Sequence, residues 1–330
     1  MIKTIYFNNI FLISSATVGG PKEKEGPLGE YLDYCYDDMM ANQDSYEKGE
    51  SEMISKAISL AIQKSRLNIK EIELIVGGDL SNQIASSHNA LKNIPCSFIG
   101  VYGACSTSIL SLIVACNFVN GGACSNALSF TSSNYGSAER QFRYPNEYGV
   151  RKKESATTTV TGSGAVIVSD KVSKIQVISA TIGKVNNGQW LDINDMGSAM
   201  AYAAYDTLIN HFINTKTTPE SYDLILTGDL SRVGSKVLVD LFNSEGIDLV
   251  NYNDAGNLIY DPHHQSDIYS GGSGCACLAL TGFSFILEEM IKKKLKNVLL
   301  VGTGCLHSKI SASQKETIPV VAHLIHLRRV

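Results

Sequence analysis

A short sequence occurs twice in this chain of 330 residues, with the two copies 150 positions apart. Residues 75–81 read Ile-Val-Gly-Gly-Asp-Leu-Ser, and residues 225–231 read Ile-Leu-Thr-Gly-Asp-Leu-Ser. A second pair follows in the same order, with Gly-Ala-Cys-Ser at 103–106 and Gly-Cys-Ala-Cys at 274–277. Similarity at a fixed long spacing indicates two copies of one supersecondary unit. Chance recurrence explains one such pair, but it poorly explains two in the same order.

The length of the chain agrees with a duplication, because single cores rarely grow beyond about 250–300 residues. We therefore predict two similar halves, residues 1–172 and 173–330. Short apolar strands alternate with helical patterns in both halves, which is typical of an α/β fold with a largely parallel sheet. The clearest long helices are predicted at 106–119 and 275–289, whereas glycine and proline indicate a loop-rich arm at 14–50.

Composition excludes several classes of function. The net charge is −4 and no basic stripe is present, which argues against nucleic acid as a partner. No apolar run reaches the roughly 20 residues needed to span a bilayer, so we expect a soluble protein of cytosolic type. The eight cysteines form no CxxC pair and no Cys/His cluster at zinc spacing. Reduced thiols, with no metal site and no cofactor, are the simpler interpretation.

Cys105 is the sharpest candidate for chemistry, because it lies where a predicted strand turns into a predicted helix among small residues. The free N–H groups and dipole of a helix N-terminus stabilise a thiolate, so we expect the pKa of Cys105 to lie below its usual value of about 8.5. The same position could bind a carboxylate without covalent chemistry. A cysteine that simply packs the start of a helix is the structural alternative.

A nucleophilic thiol that transfers acyl groups needs a base and an oxyanion hole. His307 follows the Gly-Thr-Gly-Cys turn at 302–305 and could face either a pocket or the surface. His264 belongs to a polar loop, Asp-Pro-His-His-Gln at 261–265, where exposure to solvent is the simpler interpretation. No histidine stands in a recognisable catalytic motif.

Residues 138–145 read Ala-Glu-Arg-Gln-Phe-Arg-Tyr-Pro, so two arginines alternate with two aromatic residues. Guanidinium groups bind carboxylates in a bidentate manner and aromatic rings stack on flat ligands, so a planar dicarboxylate would suit this segment. An interface loop whose arginines pair with acidic residues is an equal alternative. The glycine-rich segment 271–274 lacks the spacing of a nucleotide-binding loop.

The duplicated plan, Gly-Ala-Cys-Ser-Thr-Ser at 103–108 and Thr-Gly-Ser-Gly-Ala-Val at 161–166 resemble the thiolase and ketoacyl-synthase superfamily. Longer strings resemble its stage V sporulation AD family more closely; they lie at residues 20–24, 138–145, 195–200, 271–277 and 314–319. The resemblance implies a thiolase-like α/β fold. This is a duplicated αβαβα layered architecture with two similar mixed, mostly parallel sheets.

The resemblance also implies a function in endospore-forming bacteria. Members of this family bind dipicolinic acid, pyridine-2,6-dicarboxylate, often as its calcium chelate. They help to load it into the forespore with membrane proteins of the same operon, peripherally at the inner spore membrane. Cys105 matches the position of the superfamily's nucleophile. The superfamily further implies a homodimer, paired through strands near residues 127–131.

Two departures from the superfamily pattern bear on catalysis. Acyl-transferring relatives carry a histidine in a Gly-His-Pro or His-x-x-x-Asn setting, whereas residues 268–274 contain none. Asn134 stands where relatives are expected to have histidine. We therefore favour a noncatalytic protein that binds dipicolinate. The expected ligand contacts are Cys105, Asn134, Arg140, Phe142, Arg143, Tyr144, Gly271, Gly272, Ser273 and His307.

Two alternatives remain at this stage. One is a cysteine-dependent acyltransferase that acts on a thioester, with His307 or His264 as the base. The other is a docking protein with a vestigial pocket, whose partners are the membrane proteins.

Overall fold

The computed structural model describes residues 3–142, 152–187, 190, 192 and 195–330. Its strands are β1 (Lys3–Gly19), β2 (Tyr34–Cys35), β3 (Leu74–Gly78), β4 (Ser97–Gly100), β5 (Asn126–Ser133), β6 (Thr158–Thr159), β7 (Gly162–Ser169), β8 (Ile175–Ile182), β9 (Asn186–Asn187), β10 (Leu224–Thr227), β11 (Tyr252–Asp254), β12 (Gly272–Ser273), β13 (Asn297–Cys305) and β14 (Pro319–Arg329). Its α-helices are α1 (Pro21–Glu25), α2 (Tyr46–Ser65), α3 (Ala85–Leu91), α4 (Thr107–Asn120), α5 (Tyr135–Phe142), α6 (Met196–Thr215), α7 (Ser231–Ser244), α8 (Ala255–Ile259), α9 (Cys275–Thr281), α10 (Leu287–Ile291) and α11 (Lys309–Ser313). A π-helical turn, Gly282–Ile286, joins α9 to α10.

The two halves repeat one sheet topology. The strand order is β4-β3-β5-β7-β1 in the first half and β11-β10-β13-β14-β8 in the second. Within each half four strands run in one direction, and the fifth, β7 or β14, runs antiparallel to its neighbours on both sides. This correspondence, strand by strand, confirms the duplicated α/β plan, but the two predicted sheets are the two halves of one continuous 12-stranded sheet.

Strand β1 joins the two sheets. Residues 11–19 pair with β7, and residues 3–12 pair with β8. A register shift between Tyr6 and Ile10 lets the long strand bend from one sheet to the other. The predicted boundary at 172–173 lies in the connection from β7 to β8. The halves are therefore bonded edge to edge through their backbones rather than separated by a linker.

The layers follow from the hydrophobicity of the helices. Helix α2 packs on the outer side of the first sheet against β1 and β7, and α6 packs on the outer side of the second against β13 and β14. Helix α4 contacts β3 and β5 of the first sheet and β13 of the second. Its Ile109 and Leu112 are fully buried, and the helix is apolar on nearly every side, as a central helix must be.

The predicted dimer contact near residues 127–131 is wrong. These residues belong to β5, which is hydrogen-bonded to β3 on one edge and to β7 on the other. A strand with both edges paired has no N–H and C=O groups left for a second chain. Over the described residues, the strands at the two ends of the large sheet are β4 and β11.

Within the described part of the chain, no helix combines the length and hydrophobicity that a membrane span requires.

Candidate functional site

A tight elbow between β4 and α4 presents Cys105. Ala104 adopts a left-handed conformation with φ +50°, and the hydroxyl of Thr107 donates to the Ala104 carbonyl at 2.6 Å. The hydroxyl of Ser106 donates to the carbonyl of Gly103 at 2.6 Å. A Cβ at Gly103 would lie 2.7 Å from the Ser106 hydroxyl, so the turn needs glycine there. The elbow holds the Cys105 side chain toward the second half.

A small cavity of about 40 Å³ lies between the halves at this elbow. Both halves line it, through Leu80, Tyr102, Ala104, Cys105, Ala138, Phe142 and Thr159 of the first and Met196, Ser273, Gly274, Cys305 and His307 of the second. A single water needs about 10–15 Å³ of such space, so the cavity has the volume of about three waters. Its walls are almost wholly apolar apart from the thiols, Ser273 and His307.

The cavity continues into a wider surface groove of about 670 Å³. The cavity and the groove share Tyr102, Phe142 and His307. The rings of Phe142 and His307 meet edge to face, with centroids 6.5 Å apart. We call these three aromatic residues the neck, because they line both the cavity and the groove.

Asp229 lies behind Cys105 and is buried. It accepts hydrogen bonds from the hydroxyl of Thr303 and from the N–H of Gly274 at 3.3 Å, and its charge acts on the nearby thiol of Cys105. Burial raises the pKa of Asp229 to about 7, and the nearby charge of Asp254 acts in the same direction. Asp229 was not among the predicted site residues, although it belongs to the repeated Gly-Asp-Leu-Ser segment.

The prediction that the elbow lowers the pKa of Cys105 is wrong. Burial raises the pKa of this thiol well above its usual value, and the carboxylate of Asp229 raises it further. Burial in apolar surroundings and a neighbouring negative charge both penalise a thiolate, and here they outweigh the dipole of α4. The structure therefore presents Cys105 as a protonated hydrogen-bond donor.

The structure brings four of the predicted contact residues together at the cavity, namely Cys105, Phe142, Ser273 and His307. Gly271 and Gly272 support this wall from behind: the carbonyl of Gly271 accepts from the N–H of Thr158, and Gly272 is paired with Thr158. Arg143 and Tyr144 lie outside the described residues.

Arg140 and Asn134 do not line the cavity, contrary to our expectation. Arg140 is exposed on α5, bonded to Glu47 at 3.3 Å and positioned over the ring of Tyr46. Helix α5 packs against α2, and the Arg140 guanidinium lies against Glu47 of α2 instead of pointing into the cavity. Asn134 is buried but structural, because its amide donates to the carbonyl of Met39 at 2.7 Å and its carbonyl accepts from the N–H of Gly136.

His264, the other candidate base, also lies away from the cavity. Its side chain is exposed and bonds to Asp261 at 2.6 Å, so of the two proposed bases His307 is the one at the thiol. Over the residues that the structure describes, no group of three or more His, Cys, Asp or Glu side chains is arranged to hold a metal ion.

Comparison with known proteins assigns the family. A family model for stage V sporulation protein AD matches residues 2–328. Stage V sporulation protein AD of Bacillus subtilis (strain 168) is 45% identical over 326 residues, which cover 98% of this chain and 96% of that protein. The chain belongs to the stage V sporulation protein AD family. This membership confirms the resemblance seen in the sequence.

Solved structures confirm the fold of this family member. Cerulenin-bound OleA of Xanthomonas campestris is similar, with a TM-score of 0.64 and 15% identity, over 97% of this chain and 98% of that one. A variant of OleA in which one histidine is replaced by asparagine gives a TM-score of 0.64 over 98% and 99% of the two chains. At this identity the likeness shows the thiolase-like fold and carries no chemistry to this chain.

Proposed function

We propose that this protein is a noncatalytic member of the family that binds dipicolinic acid between the neck and Cys105. One carboxylate enters the small cavity, and the pyridine ring lies among Tyr102, Phe142 and His307. The cavity of about 40 Å³ is much smaller than the roughly 300–1,000 Å³ of typical ligand sites. The rest of the ligand therefore occupies the adjoining groove, where calcium would arrive as part of the chelate.

The observation that supports the noncatalytic part is the buried carboxyl of Asp229, whose charge acts on the thiol of Cys105. A cysteine nucleophile must be deprotonated, commonly by a histidine, before it attacks a thioester. Here the partner of the thiol is a carboxyl group whose charge makes the thiolate harder to form. The arrangement favours a thiol that donates a hydrogen bond to a ligand over one that attacks it.

The aromatic side chains of the neck support an aromatic ligand. Two aromatic rings and one imidazole surround the passage, and rings of this kind contribute about 0.5–1.5 kcal/mol per pair beyond the area they bury. Family membership supports a role in sporulation. We propose that the protein acts peripherally at the forespore or spore inner membrane, with membrane proteins of the same operon as partners in dipicolinate uptake.

Calorimetry and thermal melting with dipicolinate, with and without calcium, test the ligand. We expect saturable heat and a rise in Tm, because a ligand that binds only the folded state stabilises it. Phe142→Ala should weaken binding roughly 2- to 10-fold. Phe118→Ala, a change at a part-exposed phenylalanine of α4 outside the lining of the cavity and groove, is the matched control and should bind as the parent does. Absence of heat and of any Tm shift at millimolar ligand would remove the proposal.

An acyltransferase acting on a thioester is the second candidate, because His307 lines the same cavity as Cys105. Incubation with acyl-CoA followed by mass spectrometry separates the two functions. The noncatalytic proposal expects no acyl adduct on Cys105. An adduct that is absent from Cys105→Ser and lost in His307→Ala would establish the rival.

A homodimer remains a proposal, now through the edge strand β4 instead of β5. Gly100 at the end of β4 lines the outer groove, so a second chain paired on this edge would stand beside the ligand entrance. Light scattering coupled to size-exclusion chromatography gives the mass in solution. A mass equal to that of one chain would remove the proposal.

A further inference from the structure

Three segments of the chain meet at the end of the sheet where β8 and β13 begin and β14 ends. The N–H of Arg329 donates to the carbonyl of Lys296 at 2.8 Å, and the N–H of Val330 donates to the carbonyl of Lys174 at 3.0 Å. The β7–β8 connection and the α10–β13 connection therefore flank the last residues of β14 on its two sides. We call the cationic and the exposed aliphatic side chains of these segments the basic end; they are Lys171, Val172, Lys174, Ile291, Lys292, Lys293, Lys294, Lys296, Arg328 and Arg329.

The basic end carries an excess of positive charge, although the whole chain has a net charge of −4. It contains eight lysine and arginine side chains, which the sequence spreads over residues 171–329 and the fold brings together. The acidic side chains on these segments or bonded to them are Asp170, Asp223, Glu288 and Glu289. The last two pair with Lys292 and Lys294; among the described residues, no carboxylate lies within salt-bridge distance of the other six cations. An anionic partner would complement this surface.

Two aliphatic side chains are exposed among these cations. Val172 is 82% exposed next to Lys171, and Ile291 is 45% exposed next to Lys292. A membrane interface accommodates both kinds of side chain, because cations bind the headgroup phosphates while aliphatic groups enter the boundary with the acyl chains. Residues 170–174, 291–297 and 328–330 contain no aromatic side chain on which the bases of a single-stranded nucleic acid could stack. The composition of the basic end therefore favours an anionic lipid surface over nucleic acid.

We propose that the basic end docks this protein on an anionic phospholipid bilayer, with its cations at the phosphate groups and Val172 and Ile291 in the interfacial layer. Strand β13 runs from Asn297 at the basic end to Cys305 in the wall of the cavity, a rise of about 26 Å at about 3.3 Å per residue. The docked protein therefore keeps the cavity at the end of the sheet away from the bilayer. This inference rests on the proposed function at the membrane, and it names the surface that makes the contact.

The test is cosedimentation with vesicles of phosphatidylcholine and phosphatidylglycerol, compared with vesicles of phosphatidylcholine alone. We expect binding only to the vesicles that contain phosphatidylglycerol, and weaker binding as the salt concentration rises. Each cation near an anionic membrane contributes about fivefold to the affinity. The double variant Lys293→Gln/Lys296→Gln should therefore bind roughly 20- to 30-fold more weakly. Lys48→Gln/Lys236→Gln removes the same charge from exposed positions of α2 and α7, and this matched control should bind nearly as the parent does.

The aliphatic contact is tested separately. Val172→Ser should weaken binding to the anionic vesicles roughly 2- to 5-fold, because a serine gains little from the interfacial layer. Val185→Ser, at a valine that is 62% exposed outside the basic end, is the matched control and should bind as the parent does. All these substitutions are at exposed positions, so the Tm should stay close to that of the parent.

Equal binding to both kinds of vesicle, or equal losses in the test and control variants, would overturn the inference. Binding to single-stranded RNA that matches binding to the vesicles and is unchanged by Val172→Ser would assign the basic end to nucleic acid and also overturn it. Calorimetry with dipicolinate separates the inference from the proposed ligand, since Lys293→Gln/Lys296→Gln should bind dipicolinate as the parent does. Dipicolinate binding without vesicle binding removes the inference alone, and vesicle binding without dipicolinate binding removes the ligand alone.

Discussion

The aspartate of the repeated Gly-Asp-Leu-Ser segment has different partners in the two halves. Asp79 closes its own loop, since it accepts from the N–H groups of Ser81 and Ser87, both at 2.7 Å. In the second half the N–H of Ser231 bonds to Asp254 at 2.8 Å instead. Asp229 is thereby left to face the other half, where it meets the thiol of Cys105. The same segment is a structural brace in one copy and part of the site in the other.

The two elbows differ in a related way. A residue with positive φ precedes the cysteine in both, Ala104 before Cys105 and Gly274 before Cys275. Cys275 is fully buried, and its thiol donates to the carbonyl of Ala104 at 3.0 Å. Cys105 is only partly buried and reaches the cavity. Duplication therefore supplied two equivalent thiols, and packing made one of them accessible.

Replacing Asp79 should lower the free energy of unfolding more than replacing Asp229. Asp79→Ala leaves two buried N–H groups and the hydroxyls of Ser81 and Ser87 without their acceptor, so we expect a loss of about 3 kcal/mol or more in the free energy of unfolding. Asp229→Ala should lose only about 1–2 kcal/mol, because the change also removes a carboxyl that burial disfavours.

Urea denaturation measures both losses. Asp44→Ala, at an exposed aspartate of the first half, is the control and should change the free energy of unfolding by less than about 0.5 kcal/mol. Equal losses at Asp79 and Asp229 would mean that the two copies brace the fold alike and that the comparison fails.

The pH dependence of stability should also differ between the halves. Glu50 is buried beside Asp79 and accepts from Ser132 at 2.9 Å; burial, then the charge of Asp79, raises its pKa to about 8. A carboxyl whose pKa is higher in the folded protein keeps its proton while the unfolded chain loses it. Stability from this group therefore falls as pH rises from its unfolded pKa, about 4.3, up to about 8.

Substitution isolates each contribution. Relative to Glu50→Gln, the parent should lose up to about 1.4 kcal/mol of unfolding free energy for each pH unit of increase, until about pH 8. Relative to Asp229→Asn, the loss should end near pH 7. Denaturation curves at a series of pH values give both differences. If the two differences level off at the same pH, the two carboxyl environments are not distinct.

The repeats predicted the architecture well because they record a duplication directly. The predicted helix at 106–119 agrees with α4, and the one at 275–289 covers α9 and most of α10. Strand β1 was not predicted, because Asn8 and Asn9 interrupt its apolar pattern. Those residues lie at the register shift where the strand bends, and Asn9 has φ +56°. The first residues of the predicted arm at 14–50, up to Gly19, therefore belong to the strand that joins the halves.

The site was predicted only where sequence position fixes orientation. Cys105 and Ser273 adjoin turns whose backbone sets their direction, so both face the cavity as expected. Arg140 and Phe142 are two residues apart on α5, which turns one outward to Glu47 and the other inward to the neck. Asp229 could not be selected from the sequence, because its partner Cys105 lies in the other half and its role depends on Asp254 holding the adjacent N–H groups.

The smallest expected effect concerns the two elbow thiols. Cys275→Ala removes a fully buried sulfur and its hydrogen bond to Ala104, so the free energy of unfolding should fall by about 1 kcal/mol. Cys105→Ala removes a partly exposed sulfur beside a cavity that water can fill, and it should cost less than about 0.5 kcal/mol. Urea denaturation of both variants shows which substitution lowers the free energy of unfolding more. A larger loss at Cys105 would mean that this thiol stabilises the fold more than Cys275 does, and would contradict the distinction between a structural thiol and a ligand-facing one.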